Sequence, residues 1–308
     1  MEKKLKIFIY GGTGYLGTSI ISGLSDKYKF YITSRKKKKN FKNVKILNEK
    51  KDKTKILLSL RKSDLIIISN GPSYKDSKKK LFSYIKYLND QIDIIIKSKK
   101  KTAKVVYFST IHVYENYHLH KASTTDLLLA KTDYAIRNII CENLLLSKFK
   151  KNEINILRMS NIFGIQKRIT KLSKNMFNLA INQFCLKILK NQKILIRSNP
   201  NEKRNFISIN DFVNFIDKAF LLKRIKFNQV INYASKNEIS LKSLISILKD
   251  ESKKYITKKP KIKFQNKINN SKINYKFNLK DIKNCNLLPK ITINDEINMT
   301  LDKIQSLL

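Results

Sequence analysis

The chain has 308 residues, 42 % of them hydrophobic, enough for one large domain or for two lobes around a cleft. Its 65 Lys and Arg outnumber 23 Asp and Glu, giving a formal net charge of +42. Clustered basic residues would suit a nucleic acid through release of phosphate counterions. Here, however, lysines run along the whole chain, arginine is rare, and Ile and Asn are abundant while Gly, Pro and Trp are scarce. That is the pattern of an AT-rich coding bias, and no specific nucleic-acid partner is expected.

Cys141, Cys185 and Cys285 lie far apart without a C-x-x-C pair, and histidines are few, so no zinc ligand set is expected. Reduced thiols in a cytoplasmic protein are the simplest account. The apolar run of "MEKKLKIFIYGG" is too short for a signal-peptide core, and no run approaches the roughly 20 residues of a membrane span. No membrane insertion is expected.

Strands are predicted at 5–10, 30–33, 64–69 and 103–110, each short, apolar and flanked by charge. Helical patterns at 15–26, 53–62 and 78–99 lie between them, followed by a helix at 133–148 and a strand at 154–161. Such alternation predicts a parallel sheet covered on both faces. Further on, the pattern gives a helix over 172–190, a short strand at 193–197 and a strand end at 204 leading into a helix capped by Asn210 or Asp211. A strand at 229–235 and helices at 240–250 and 294–307 complete the reading. The expected fold is α/β, a large sheet domain with a smaller, discontinuous C-terminal lobe.

The chain has only seven glycines, and four stand in "GGTGYLG" at Gly11, Gly12, Gly14 and Gly17. The cluster follows a strand and opens a helix. Gly11 allows a tight turn, Gly14 lets the backbone approach a pyrophosphate, and Gly17 brings helix and strand close. With Thr13, Tyr15 and Leu16, the loop presents amides and a helix N-terminus to phosphates, so a dinucleotide cofactor is expected. An acidic residue after the second strand would grip the ribose hydroxyls of NAD. Ser34 and Arg35 stand there instead and suit a 2′-phosphate, favouring NADP over NAD.

With that loop in place, "FSTIHVY", "YAIRNIICE", "LRMSNIFG" and "RNFISINDF" follow in an order and spacing that resemble the extended short-chain dehydrogenase/reductases. More narrowly, the chain resembles the NAD-dependent epimerase/dehydratase family that modifies nucleotide-activated sugars. The resemblance implies a Rossmann-type doubly wound sheet. It places the NAD(P)-binding domain at 1–161, with 204–235 returning to it, and a mainly substrate-binding lobe at 162–308. It implies hydride transfer at a sugar carbon coupled to proton exchange with Tyr134, Thr110 binding the reacting oxygen, Asn161 contacting substrate and Arg204 pairing with the diphosphate. It also implies a homodimer through helices 78–99 and 133–148, although the stripe Leu81, Tyr84, Ile85, Leu88 and Ile92 suits docking on the sheet equally.

The family expects a lysine four residues after the tyrosine, one helical turn along, where it binds the nicotinamide ribose and favours tyrosinate. Here that position is Asn138, which is expected to hydrogen-bond a ribose hydroxyl but brings no charge, while Glu142 keeps the family's register. A free phenol has a pKa of about 10, so without a cation about one in a thousand is ionised at neutral pH. Three outcomes follow: Arg137 supplies the cation, the enzyme runs as a ketone reductase starting from protonated tyrosine, or binding survives without catalysis. His112 is expected on the far face of its strand, the alternative being an auxiliary acid/base or substrate ligand, and His118 and His120 fall in the next loop. Asn205 and Glu115 replace an aspartate and a glycine usual in the family. The expected function is a keto-sugar reductase or epimerase/dehydratase making surface-polysaccharide precursors. The alternative is a catalytically silent nucleotide-binding protein or, more remotely, an RNA-associated one.

Overall fold

A computed structural model describes residues 4–34, 43–71, 81–114, 121–227, 230–265 and 276–308. Strand β1 (Lys6–Tyr10) leads through the glycine loop into helix α1 (Tyr15–Leu24), then β2 (Lys29–Ser34), β3 (Val44–Asn48), α2 (Lys53–Lys62) and β4 (Leu65–Ile68). Helices α3 (Leu81–Ser98) and α4 (Asp133–Lys148) flank β5 (Lys104–Thr110), which ends in a tight 3-10 turn, Ile111–Tyr114. Next come β6 (Ile154–Met159), β7 (Asn161–Phe163), α5 (Ala180–Leu189), β8 (Ile194–Ile196), β9 (Lys203–Ser208) and α6 (Ile209–Ile216). The remainder is β10 (Val230–Tyr233), β11 (Glu238–Ser240), α7 (Leu241–Ser252), β12 (Ile262–Phe264), α8 (Lys280–Asn284) and α9 (Ile293–Gln305).

Seven strands form one sheet in the order β10-β6-β5-β4-β1-β2-β3, every neighbouring pair parallel. The expected doubly wound α/β fold is the observed one. Its inner strands β1 and β4 are almost wholly apolar because both faces are covered. On one face Ile20, Ile21 and Leu24 of α1 pack with Phe212, Val213 and Phe215 of α6. On the other, Ile56 and Leu60 of α2, Leu88, Ile92 and Ile95 of α3, and Cys141 and Leu145 of α4 form a second core. A third core joins α5, α7 and α9 beside two small sheets, β11-β9-β7 and β12-β8. The chain runs from β1 to β2 on one side and returns to β4 on the other. The crevice beyond the C-terminal ends of β1 and β4 is therefore the place where such sheets hold ligands.

The structure departs from the expected elements where burial is one-sided or turns intervene. Strand β3 carries no strong apolar run because it is the sheet edge, with only Leu47 buried. The strand expected over 154–161 is two: β6 ends at Met159, the Ser160 amide adds a last rung to the carbonyl of Tyr233, and from Asn161 the chain joins the small sheet as β7. The helix expected over 172–190 is a 3-10 turn, Lys174–Asn178, followed by α5. The cap of α6 is Ser208, whose hydroxyl accepts from the amides of Asn210 and Asp211. Those two side chains are engaged elsewhere: Asn210 bonds Glu296, and Asp211 accepts from the amides of Lys290 and Ile291. Among the described residues, no helix is long and apolar enough to cross a membrane.

Candidate active site

The glycine loop lies in the crevice between β1 and β4. Gly11 has φ +82°, and a Cβ there would stand 2.8–2.9 Å from the backbone of Asn70, at the end of β4. Gly17 lets α1 press on the loop: a Cβ there would come within 2.6 Å of the Gly12 Cα. Gly14 is different, since a Cβ there would meet only the Gly11 carbonyl, at 3.2 Å, and otherwise open space. The Gly14 amide closes the turn onto that carbonyl at 2.9 Å, and the first-turn amides of Tyr15, Leu16 and Gly17 face outward at the positive end of α1. Thr13 stands half-buried in the same turn. Nearby, the Thr33 hydroxyl and Asn70 Oδ1 are buried without a hydrogen-bond partner among the described residues. An open face at Gly14 together with orphaned polar atoms fits a dinucleotide cofactor. Ser34 is buried at the end of β2, and Arg35 lies outside the described residues.

Strand β5, next to β4, delivers Thr110 to the same rim, and α4 delivers Tyr134 in its first turn, where the Thr132 hydroxyl accepts from the Ala135 amide at 3.3 Å. Thr110 Oγ1 accepts from the amide of His112 at 3.2 Å. His112 does not lie on the far face of the strand. Strand β5 stops at Thr110, and the 3-10 turn swings His112 round until its ring stands edge-on to Tyr134, centroids 6.0 Å apart. Thr110, His112 and Tyr134 thus form one cluster. His118, His120 and Glu115 lie outside the described residues.

Arg137, 3 % exposed, lies with its guanidinium carbon 4.8 Å from the Tyr134 ring centroid and 5.3 Å from that of Tyr84 on α3. Asn138 is committed to the helix and the core. Its Nδ2 donates to the Tyr134 carbonyl at 2.7 Å, and its Oδ1 accepts from Tyr107 at 3.1 Å. Glu142 is buried against Arg158 of β6, 2.7 Å away, and accepts from Ser109. Arg158 also donates to the Tyr114 hydroxyl at 2.6 Å, and Tyr114 donates to Asn232 of β10 at 2.8 Å. This network holds the strand end before Thr110 from both sides. Tyr84, Tyr107 and Arg158 carry no motif, and a tyrosine in an apolar stripe reads as core. Only the i, i+3 position of Arg137 pointed toward the cluster.

Asn161 and Arg204 come together on the small sheet that continues from β6. Asn161 Nδ2 donates to the Asn205 carbonyl at 3.0 Å, and Arg204 pairs with Glu202 at 2.7 Å. Asn205 is fixed by its own bonds to Ser235. The Tyr15 side chain points away from the glycine loop, donating to the carbonyl of Gly164 at 2.9 Å, and burial pushes its phenol far up. Leu16 packs on the core. The buried carboxyl of Glu296 fills the space a side chain at Gly164 would need, and burial pushes it up to about 8. The three cysteines are unpaired. Among the described residues, no His, Cys, Asp and Glu gather as a metal site.

The fold is a doubly wound α/β sheet with a glycine loop after β1, and His112 links Thr110 and Tyr134 beyond the end of β5. Residues 7–233 match the model of the NAD dependent epimerase/dehydratase family. The chain belongs to that family. No curated protein matches the sequence. Among solved structures, a UDP-glucose 4-epimerase of Thermotoga maritima, with UDP-glucose, superposes with a TM-score of 0.78 at 16 % identity, over 98 % of this chain and 99 % of that one. A UDP-N-acetylglucosamine 4-epimerase of Methanobrevibacter ruminantium, in complex with UDP-N-acetylmuramic acid, gives 0.78 at 20 % identity over 99 % of both chains. A UDP-glucuronic acid 4-epimerase of Bacillus cereus, in complex with NAD, gives 0.75 at 19 % over 99 % and 97 %.

Proposed function

We propose that the protein is an NAD(P)-dependent oxidoreductase acting on a nucleotide-activated sugar, as a keto-sugar reductase or an epimerase/dehydratase. The observation that supports this reading is that His112 joins Thr110, through its amide, to Tyr134, through its ring, beyond the end of β5, the strand beside β4. The cofactor would supply the hydride acceptor or donor. Amides of the loop from Gly11 to Gly17 would hold its pyrophosphate, with Ser34 and Arg35 favouring NADP. Thr110 would orient the sugar oxygen and Tyr134 exchange a proton with it. Asn161 and Arg204 would face the nucleotide diphosphate, Arg204 exchanging Glu202 for phosphate oxygens.

In this reading residues 1–161 form the cofactor domain, to which 204–235 return, and 162–308 mainly hold substrate. The protein would be cytoplasmic and serve surface-polysaccharide precursor synthesis. A homodimer through α3 and α4 is supported by apolar residues left exposed there, Phe82, Ile94, Ile136, Ile140 and Leu146.

The test is incubation of purified protein with NADPH and a panel of nucleotide 4-keto-6-deoxy sugars, following absorbance. Oxidation of NADPH by at least one is expected for the reductase. NADPH binding without oxidation by any of them overturns the reductase reading. A silent binding protein is the second reading, favoured by Asn138 being bonded on both sides in the core. Lack of turnover in both directions, including after Asn138→Lys, with cofactor binding intact, would establish it.

A further inference from the structure

Arg137 is a buried cation set between two aromatic faces. Its guanidinium carbon lies 4.8 Å from the Tyr134 ring and 5.3 Å from the Tyr84 ring, close enough for attraction to both. The charge also reaches the crevice. A Cβ added to Gly71 would stand 3.8 Å from Arg137 Nη2 and 3.6 Å from the Tyr84 hydroxyl, and Gly71 follows Asn70, which packs on Gly11. Tyr84 is itself fixed: its hydroxyl donates to the Asn70 carbonyl, and burial pushes the phenol far above its ordinary value, so it keeps its proton. Asn70 is held in turn by Tyr87 and Gln91 of α3. A line of contacts therefore runs from the glycine loop through Asn70, Tyr84 and Arg137 to Tyr134.

We infer that Arg137 supplies the positive charge of the cofactor site, binding the hydroxyl- and phosphate-bearing part of a nicotinamide dinucleotide beside Tyr134, and that Tyr84 is the positioning residue that aims it. The inference rests on the reading above and deepens it. Asn138 then has a structural task, tying the first turn of α4 to Tyr107, and the charge stands one residue earlier in the helix. A guanidinium suits this place because it keeps its charge when buried and lies flat on a ring while its edge donates hydrogen bonds.

The experiment measures the dissociation constant for NADH by fluorescence titration, alongside kcat and the melting temperature. Its variants are Arg137→Gln, Arg137→Lys, Tyr84→Phe and Tyr84→Leu. Arg137→Gln is expected to weaken NADH binding at least tenfold, with Arg137→Lys between it and the unaltered protein. Tyr84→Phe keeps the ring face but loses the bond to Asn70 and should fall between the unaltered protein and Tyr84→Leu, which should approach Arg137→Gln. Unchanged NADH binding in Arg137→Gln overturns the inference and leaves the proposed function standing. Equal losses in Arg137→Lys and Arg137→Gln that track a lowered melting temperature also overturn it, since a structural role alone would produce them. Failure of the unaltered protein to bind NADH or NADPH overturns both. If it binds NADH but turns over no nucleotide sugar, only the substrate reading fails, and the binding arm still decides the role of Arg137.

Discussion

Arg158 grips the carboxylate of Glu142 through Nε and Nη2, at 3.0 and 2.7 Å from Oε2, with both side chains almost fully buried. Breaking such a pair leaves a charge without compensation in the core, and its cost exceeds the net value of the pair itself. Glu142→Gln is expected to lower stability by about 3 kcal/mol in urea denaturation. Because Ser109 and Tyr114 share the network, the same variant should loosen the strand end that carries Thr110. Hydrogen exchange at residues 109–114 is expected to quicken by more than in a distant control strand.

Glu296 gives the stability curve a pH dependence. Its folded carboxyl is pushed up to about 8 by burial, against an ordinary value of 4.5. Between those two values the folded chain holds a proton that the unfolded chain has released, so stability falls as pH rises and levels off above about 8. The slope is at most about 1.4 kcal/mol per pH unit. Glu296→Gln removes the titration. Its stability relative to the parent should rise by a few kcal/mol from pH 5 to pH 8.5, measured by chemical denaturation at each pH. A difference that stays constant across that range would refute the assignment.

Gly11 cannot carry a side chain without moving β4. Its φ of +82° disfavours an L-residue, and a Cβ would meet Asn70 backbone at 2.8–2.9 Å. Gly11→Ala should destabilise by about 1–3 kcal/mol. It should also weaken NADH binding, because the same displacement opens the turn that presents the Gly14 face.

The glycine loop and the apolar strands were legible because each rests on a local rule: glycine where backbones touch, and uninterrupted Ile and Val where a strand is covered twice. Tyr134 and Thr110 were singled out by the family resemblance of their motifs, and the structure links them through His112. Strand β3 was not, since an edge strand alternates with charge and buries only Leu47. The cap of α6 was assigned to Asn210 or Asp211 because both are good caps. Ser208 takes that task since the other two are drawn to Glu296 and to the backbone at 290–291, contacts some 80 residues away in the chain. His112 illustrates the same limit. The strand ends at Thr110, two residues before it, and the 3-10 turn, which no strand pattern signals, sets its ring against Tyr134.

Asn138 and Tyr107 are hydrogen-bonded at 3.1 Å in a site sealed from water. Asn138→Leu keeps the volume but removes one acceptor of the Tyr107 hydroxyl, which keeps its bonds to Tyr84 and Cys141, at a cost of about 1 kcal/mol. Adding Tyr107→Phe removes the hydroxyl whose acceptor was lost, so the double variant should regain part of that loss. A coupling energy near 1 kcal/mol is expected from the double-mutant cycle, and strict additivity would show that the bond contributes nothing.

Tyr134→Phe separates binding from chemistry. The ring face toward Arg137 and the edge contact with His112 both survive the loss of one oxygen, so neither the clamp nor the fold should change. NADH binding should therefore stay within about twofold of the parent, and the melting temperature should hold. In the proposed reading, no other phenol of this cluster among the described residues would supply the proton to a sugar oxygen: Tyr84 and Tyr107 are buried with their hydroxyls bonded to Asn70 and Asn138. Turnover is expected to fall by about 10²–10⁴-fold, the usual worth of a positioned acid or base. Retained turnover in Tyr134→Phe would move the proton-transfer role to His112, whose ring stands edge-on to Tyr134.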